Sequence, residues 1–115
     1  RRDTREKMIV PMDELQEKVP MLLDEIHEAL YENAVRRQEE MTTTVTTEEE
    51  LREAADHKPG FIRAMWCKDL ACEEKIKEVY GLSSRCMPFA QEKIADTCIC
   101  CGKETETMVY WGKAY

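Results

Sequence analysis

Six cysteines carry the chemistry that this 115-residue sequence can offer, and all of them fall between Cys67 and Cys101. Cys98-Ile99-Cys100-Cys101-Gly102-Lys103 contains a C-x2-C pair followed by glycine. Two intervening residues let a tight turn aim both sulfurs at one point. The glycine can take the positive φ that such a turn often needs. Cys67 and Cys72 form a C-x4-C pair, placed between an expected strand end and an expected helix start. A cysteine at a helix N-terminus is favoured as a thiolate by the dipole. Together Cys67, Cys72, Cys98 and Cys101 make the donor set of a structural zinc site: four thiolates, tetrahedral, closed to water. Four thiolates also suit iron, so the spacing leaves zinc and iron open. The two pairs begin 31 residues apart, so a bound ion would staple distant parts of a short domain, and its affinity would be folding energy.

Other readings of the thiols stay open. Disulfides would need an oxidising compartment, and nothing in the sequence is secretory. A thioredoxin-like C-x2-C sits between the strand and helix of a βαβ unit, whereas Cys101 precedes Gly-Lys and a strand. Cys86 reads as a buried thiol in a strand. Cys100 competes with Cys98 and Cys101, although only the latter two have the two-residue spacing. His27 and His57 lie far from the cluster in sequence. No nucleophile–base constellation, Gly-rich phosphate loop or converging carboxylate pair stands out.

The elements that must position these thiols follow from periodicity. Apolar residues at Met12, Leu15, Val19, Leu22, Leu23, Ile26 and Leu30 step by three and four, which predicts an amphipathic helix over 12–41. Pro20 predicts a kink or break near Val19. Thr42–Thr47 reads as a short, exposed edge strand. Thr47 and Glu50 form a capping box opening a helix to about His57, stopped by Lys58-Pro59-Gly60. Residues 61–66 read as a strand running into Cys67. Cys72–Tyr80 reads as a helix with Ile76, Val79 and Tyr80 inward and Gly81 at its end. Strands follow at 84–87 and 105–111. The fold class is α+β: a long helix, then a small mixed α/β domain with a short antiparallel-type sheet and a four-cysteine zinc site.

Charge divides the same way. Residues 1–57 hold 8 Lys/Arg against 16 Asp/Glu, and residues 58–115 hold 9 against 8, within a net charge of -7. That balance argues against a free-standing polyanion binder, because phosphate affinity needs clustered cations; no DNA partner is expected. No run of ~18 apolar residues is present, so no transmembrane helix is expected. The start at Arg1-Arg2-Asp3-Thr4 lacks both Met and an apolar signal region, and reads as a cut from something longer. Residues 1–11 suit the last strand of a sheet whose other strands lie elsewhere.

With these residues in view, the sequence resembles the C-terminal part of prolyl-tRNA synthetases of the archaeal and eukaryote-like type. Gly60-Phe61, Trp66-Cys67, Cys72-Glu73-Glu74 with Ile76-Lys77, Ser84-Arg85-Cys86 with Pro88-Phe89, Cys98 with Cys101-Gly102-Lys103, and Lys113-Ala114-Tyr115 fall in that family's order. So do the opening Arg1-Arg2-Asp3-Thr4 and the helix with Ile26, Leu30-Tyr31 and Ala34. The resemblance implies three parts: residues 1–11 closing an anticodon-binding domain, 12–41 a linking helix, and 42–115 a zinc-binding α/β domain. It implies Cys67, Cys72, Cys98 and Cys101 as ligands of a structural zinc, and Tyr115 as a contact with the catalytic domain. It implies a cytoplasmic class II ligase, a homodimer when whole, that uses ATP to join proline to tRNA(Pro). This chain lacks the catalytic motifs and is not expected to be catalytic alone. Lys68, Cys100 and Pro20 depart from the family's usual pattern. The competing reading is a zinc-knuckle protein-interaction module unrelated to aminoacylation; a thiol oxidoreductase using Cys98 and Cys101 is a third.

Overall fold

The structure, a computed structural model, describes residues 1–113 and divides into two units, Arg1–Arg37 and Gln38–Tyr115. In the first unit, residues 1–11 form a turn followed by irregular backbone, with Arg5 at φ 65°. The expected strand is not formed here. A strand's N–H and C=O groups need a neighbour to bond, and no strand lies alongside among the described residues. Arg1 is held locally instead, its guanidinium pairing with Asp3 at 2.8 Å and Glu25 at 3.2 Å.

A 3-10 turn over Met12–Glu14 leads into helix α1, Leu15–Glu40. Of the kink or break expected near Val19, the break is not formed: the helix is continuous through Pro20. Pro20 lies within the second turn and forfeits a single hydrogen bond, to the carbonyl four residues back, while the flanking turns keep theirs. No α1 residue is buried. The apolar stripe is present in the sequence, yet Leu23, Leu30 and Tyr31 are each more than half exposed.

The second unit is built on a four-stranded mixed sheet in the order β1-β2-β4-β3. The strands are β1 Thr42–Thr44, β2 Phe61–Met65, β3 Leu82–Cys86 and β4 Met108–Lys113. β4 pairs antiparallel with both β2 and β3, as expected, but β1 runs parallel to β2. The reason is connection length. A parallel pair needs a crossover, and helix α2, Glu48–His57, supplies it. Thr47 caps α2 through its side chain, and Glu50 reaches back to the Thr47 N–H at 3.3 Å, completing the capping box. Where β2 begins, the Phe61 N–H donates to the Met41 carbonyl at 2.8 Å. Gly60 makes that approach possible: at φ 103°, an added Cβ would lie 2.0 Å from the Met41 oxygen.

Helix α3, Leu70–Tyr80, packs on β3 and touches α2. It starts two residues before the expected Cys72, capped by Asp69, whose carboxylate accepts from the Ala71 N–H at 3.1 Å. Ile76 and Tyr80 face inward as expected, but Val79 is 52% exposed and Cys72 takes the third inward place. The 3.6-residue period puts 72, 76 and 80 on one line and swings 79 away from it. The core joins Leu51 and Ala54 of α2, Ile62 and Ala64 of β2, Ile76 of α3, and Val109 and Trp111 of β4. Trp111 is fully buried in the strand that sits between two others. Central placement also buries Met108, so the expected alternation along 105–111 gives way to near-continuous burial. Thr105 and Thr107 precede β4 rather than belonging to it.

Candidate metal centre

Two turns present the four thiols. The first leaves the end of β2. The Trp66 N–H donates to the Thr107 carbonyl at 2.8 Å, and the Thr105 hydroxyl donates to the Trp66 carbonyl at 2.7 Å, which fixes the backbone just before Cys67. Lys68 then takes φ 65°, a left-handed conformation that bends the chain toward the Asp69 cap of α3. The Trp66 indole N–H closes this turn on the Asp69 carbonyl at 3.1 Å. Cys72 follows in the first turn of α3.

The second turn is a small hairpin. Thr97 pairs with Glu104, the Cys98 N–H donates to the Lys103 carbonyl at 2.8 Å, and the Gly102 N–H donates to the Cys98 carbonyl at 3.0 Å. Gly102 has φ 71°, the positive value anticipated for the residue after the second cysteine. A backbone bond ties the two turns together: the Ile99 N–H donates to the Met65 carbonyl at 3.0 Å. Lys103 reaches the Asp69 carboxylate at 3.6 Å across the same gap.

The sulfurs of Cys67, Cys72, Cys98 and Cys101 all lie within 4.8 Å of one another. Cys67 is 3.6 Å from Cys72 and 3.6 Å from Cys101. A disulfide would bring two sulfurs to about 2.05 Å. Four sulfurs at zinc's bond length of about 2.3 Å would instead have tetrahedral edges of about 3.8 Å. The observed separations suit a shared cation, and a four-thiolate set suits a soft or borderline metal.

Burial acts against charge on these thiols. It pushes the Cys67 thiol up. It pushes the Cys72 thiol up further, helped by the neighbouring thiols of Cys101, Cys67 and Cys100. The dipole's expected lowering at Cys72 is therefore overridden, because the residue is only 6% exposed and crowded by potential negative charge. Cys101 is exposed, and a backbone N–H from Lys103 brings its thiol down to about 7. The backbone N–H of Asp69 acts on Cys67 in the same sense. Each turn thus aims an amide two residues on at its cysteine sulfur, the outer-shell support typical of ligating groups.

Cys86 is exposed, not buried: it ends β3 on the outer edge of the sheet, beside an irregularity in the pairing with β4. Cys100 is half-buried beside the cluster, packed with Trp66 against the core. His27 and His57 are exposed and outside the thiol group. Tyr115 lies outside the described residues. The supporting roles of Asp69, Thr105 and Trp66 were not foreseen by sequence reasoning. Asp69 had a readable signal, an N-cap residue type just before Leu-Ala-Cys-Glu; Thr105 had none, since its bond to Trp66 spans 39 residues.

Fold and site together define a small mixed α/β domain organised around a four-cysteine cluster. The sequence pattern described as "Prolyl-tRNA synthetase, C-terminal" matches residues 48–115, and the chain belongs to that family. It is 65% identical over its whole length to a proline–tRNA ligase of Clostridium novyi and 61% identical to proline–tRNA ligase 2 of Bacillus cereus. The chain spans 24% of the length of each of these curated relatives. A crystal structure of prolyl-tRNA synthetase from Cryptosporidium parvum, complexed with L-proline and AMP, matches with a TM-score of 0.86 and 32% identity. That match covers 96% of this chain and 24% of the other. No helix among the described residues is long and apolar enough to cross a membrane.

Proposed function

We propose that this chain works as the C-terminal part of a proline–tRNA ligase of the archaeal and eukaryote-like type, and that Cys67, Cys72, Cys98 and Cys101 hold one structural zinc ion in it. The observation that carries the reading is the convergence of four thiols from two turns within 4.8 Å, in a chain of this family. Zinc would serve as a cross-link. With all four positions filled by sulfur, no site is left for a water to be activated. The activity itself, ATP-dependent joining of proline to tRNA(Pro) by a cytoplasmic homodimer, belongs to the whole protein. The proline and AMP held by the Cryptosporidium parvum enzyme support that assignment.

The same reading divides the chain. Residues 1–11 complete the sheet of a preceding anticodon-binding domain, 12–41 link, and 42–115 form the zinc-binding domain. The family resemblance supports Tyr115 as a contact with the catalytic domain of the whole protein. Loss of aminoacylation rate on deleting Tyr115 from the whole protein would support that contact, and an unchanged rate would remove it.

Elemental analysis of protein purified without added metal tests the metal. About one zinc per chain is the expected result for a closed site. A metal-free, folded protein would overturn the assignment of the four cysteines, and a coloured, iron-containing one would replace zinc. Proline-dependent charging of tRNA by the whole protein tests the activity. Retention of one stoichiometric partner unrelated to translation, without charging, would favour the interaction-module reading instead.

A further inference from the structure

Away from the cysteine turns, residues at the start of β2, in β3 and at the end of β4 line a cavity of about 530 Å³, a size that suits a small-molecule ligand. Its inner wall is apolar: Ala55, Ile62 and Leu82 are buried members of the core. Phe61, 45% exposed, adds an aromatic ring. The charged residues that line it are Lys58, Arg85 and Lys113, all exposed cations, and no carboxylate of the described residues joins them. The hollows beside α2 differ: Glu48 and Glu49 line one, Glu50 and Glu53 another. Among the described residues none of the three cations forms an ion pair. Lys58 feels the Glu50 carboxylate only at longer range.

Arg85 is held in place by the fold. Its guanidinium donates to the Lys113 carbonyl at 3.0 Å. Its side chain lies against β4 at Gly112, where an added Cβ would meet Arg85 Nε at 3.4 Å and Phe61 Cδ1 at 3.5 Å. Glycine at that position leaves room for both the guanidinium and the ring. Three cations around one cavity match a phosphate monoester, which carries about −1.5 to −2 charges at pH 7, better than a carboxylate with one. The apolar wall and the exposed ring suit a flat body attached to that phosphate, because aromatic side chains stack on bases. A long polyanion suits the surface less, since α2 opens nearby with Glu48, Glu49 and Glu50 and the chain carries a net charge of -7. We infer that this cavity binds a free mononucleotide, with its phosphate held by Lys58, Arg85 and Lys113 and its base against Phe61. The inference depends on neither the metal site nor the charging activity.

The experiment titrates the whole protein with AMP, adenosine, inorganic phosphate or a short single-stranded oligoadenylate. Hydrogen exchange is read by mass spectrometry at peptides covering residues 58–62, 82–86 and 108–113, so that binding elsewhere in the protein is told apart by position. At a concentration ten times the dissociation constant, AMP should slow exchange there by about tenfold. Adenosine and inorganic phosphate, each with half of the recognised chemistry, should need higher concentrations for the same protection. Arg85→Gln should weaken AMP binding by about tenfold, the loss of one charge-assisted hydrogen bond. Arg85→Lys, which keeps the charge, should restore part of it. Lys113→Gln, whose main-chain carbonyl still holds Arg85, should weaken binding in the same direction. Absence of protection by AMP, or protection unchanged in both the Arg85→Gln and Lys113→Gln proteins, overturns the inference. Equal protection by adenosine or by inorganic phosphate overturns the two-part ligand. Stronger protection by the oligoadenylate overturns the free mononucleotide in favour of an RNA strand.

Discussion

At the scale of single residues, Lys68 is the clearest strained position of the candidate centre. It adopts φ 65° between a proposed ligand and a helix cap. For an L-residue with a Cβ, that conformation costs roughly 1–2 kcal/mol, and glycine avoids it at a smaller entropic cost in the unfolded chain. Lys68→Gly is therefore expected to raise the melting temperature by a few degrees and leave metal content unchanged. Thermal unfolding monitored by circular dichroism checks this, and a fall in stability would mean that Lys68 makes a compensating contact. The protons on the thiols give a second expectation. Burial holds Cys67 and Cys72 above the ordinary thiol value, and metal binding must expel those protons. Affinity should therefore rise with pH and fall with acid. Competition against a chromophoric chelator, from about pH 8 down to about pH 6, should show progressive release. A flat profile would contradict thiolate ligation.

Among the elements, α2 is the best specified by its own residues. Its capping box is complete, with Thr47 accepting from the Glu50 N–H at 3.2 Å and Glu50 accepting from the Thr46 and Thr47 N–H groups. Thr47→Ala should cost about 1 kcal/mol, read as a shift in the urea midpoint with an unchanged slope. These bonds also hold the Glu50 carboxyl below its ordinary 4.5, the Thr46 amide contributing most. A carboxyl lowered in the folded state stabilises above its unfolded value, and that stabilisation is lost as pH falls through the folded value. Stability should thus decline as pH drops below about 4.5. Glu50→Gln, which still reaches back to the N-cap, should flatten that part of the profile. By contrast, α1 has the periodicity of a packed helix but buries nothing within its own unit. Periodicity specifies a face; it does not supply the surface that covers it.

Across the whole second unit, the hydrophobic core reaches the proposed cation's turns: Ile99 belongs to it, and Trp66 and Cys100 pack against it. Trp111, Ile62 and Ile76 belong to the same cluster; the first cysteine turn leaves the end of β2, and the second is a hairpin between β3 and β4. Without a metal the turns are joined by few bonds, chiefly Ile99 to Met65 and Lys103 to Asp69. Chelation of the metal should therefore loosen the turns first. Amides of residues 97–104 are expected to exchange faster, and the melting temperature to fall, while the β2–β4 amides stay protected longest. Hydrogen exchange with and without chelator checks this. Uniform loss of protection would show instead that the metal is required for the whole fold, as in the smallest zinc modules.

What the sequence determined by itself is whatever depends on neighbours along the chain. The capping box at Thr47, the stop at Gly81, the positive φ at Gly102 and the C-x2-C and C-x4-C pairs were all legible, because each is set within a few residues. The resemblance added the order in which they occur. Tertiary structure decided the rest. It set β1 parallel to β2, placed β4 between two partners so that Met108 is buried as well as Val109 and Trp111, exposed Cys86 and Val79, and raised the Cys72 thiol against the pull of the helix dipole. Each of these turns on which distant segment lies alongside and how much water it excludes, and the chemistry of a residue type carries no record of either.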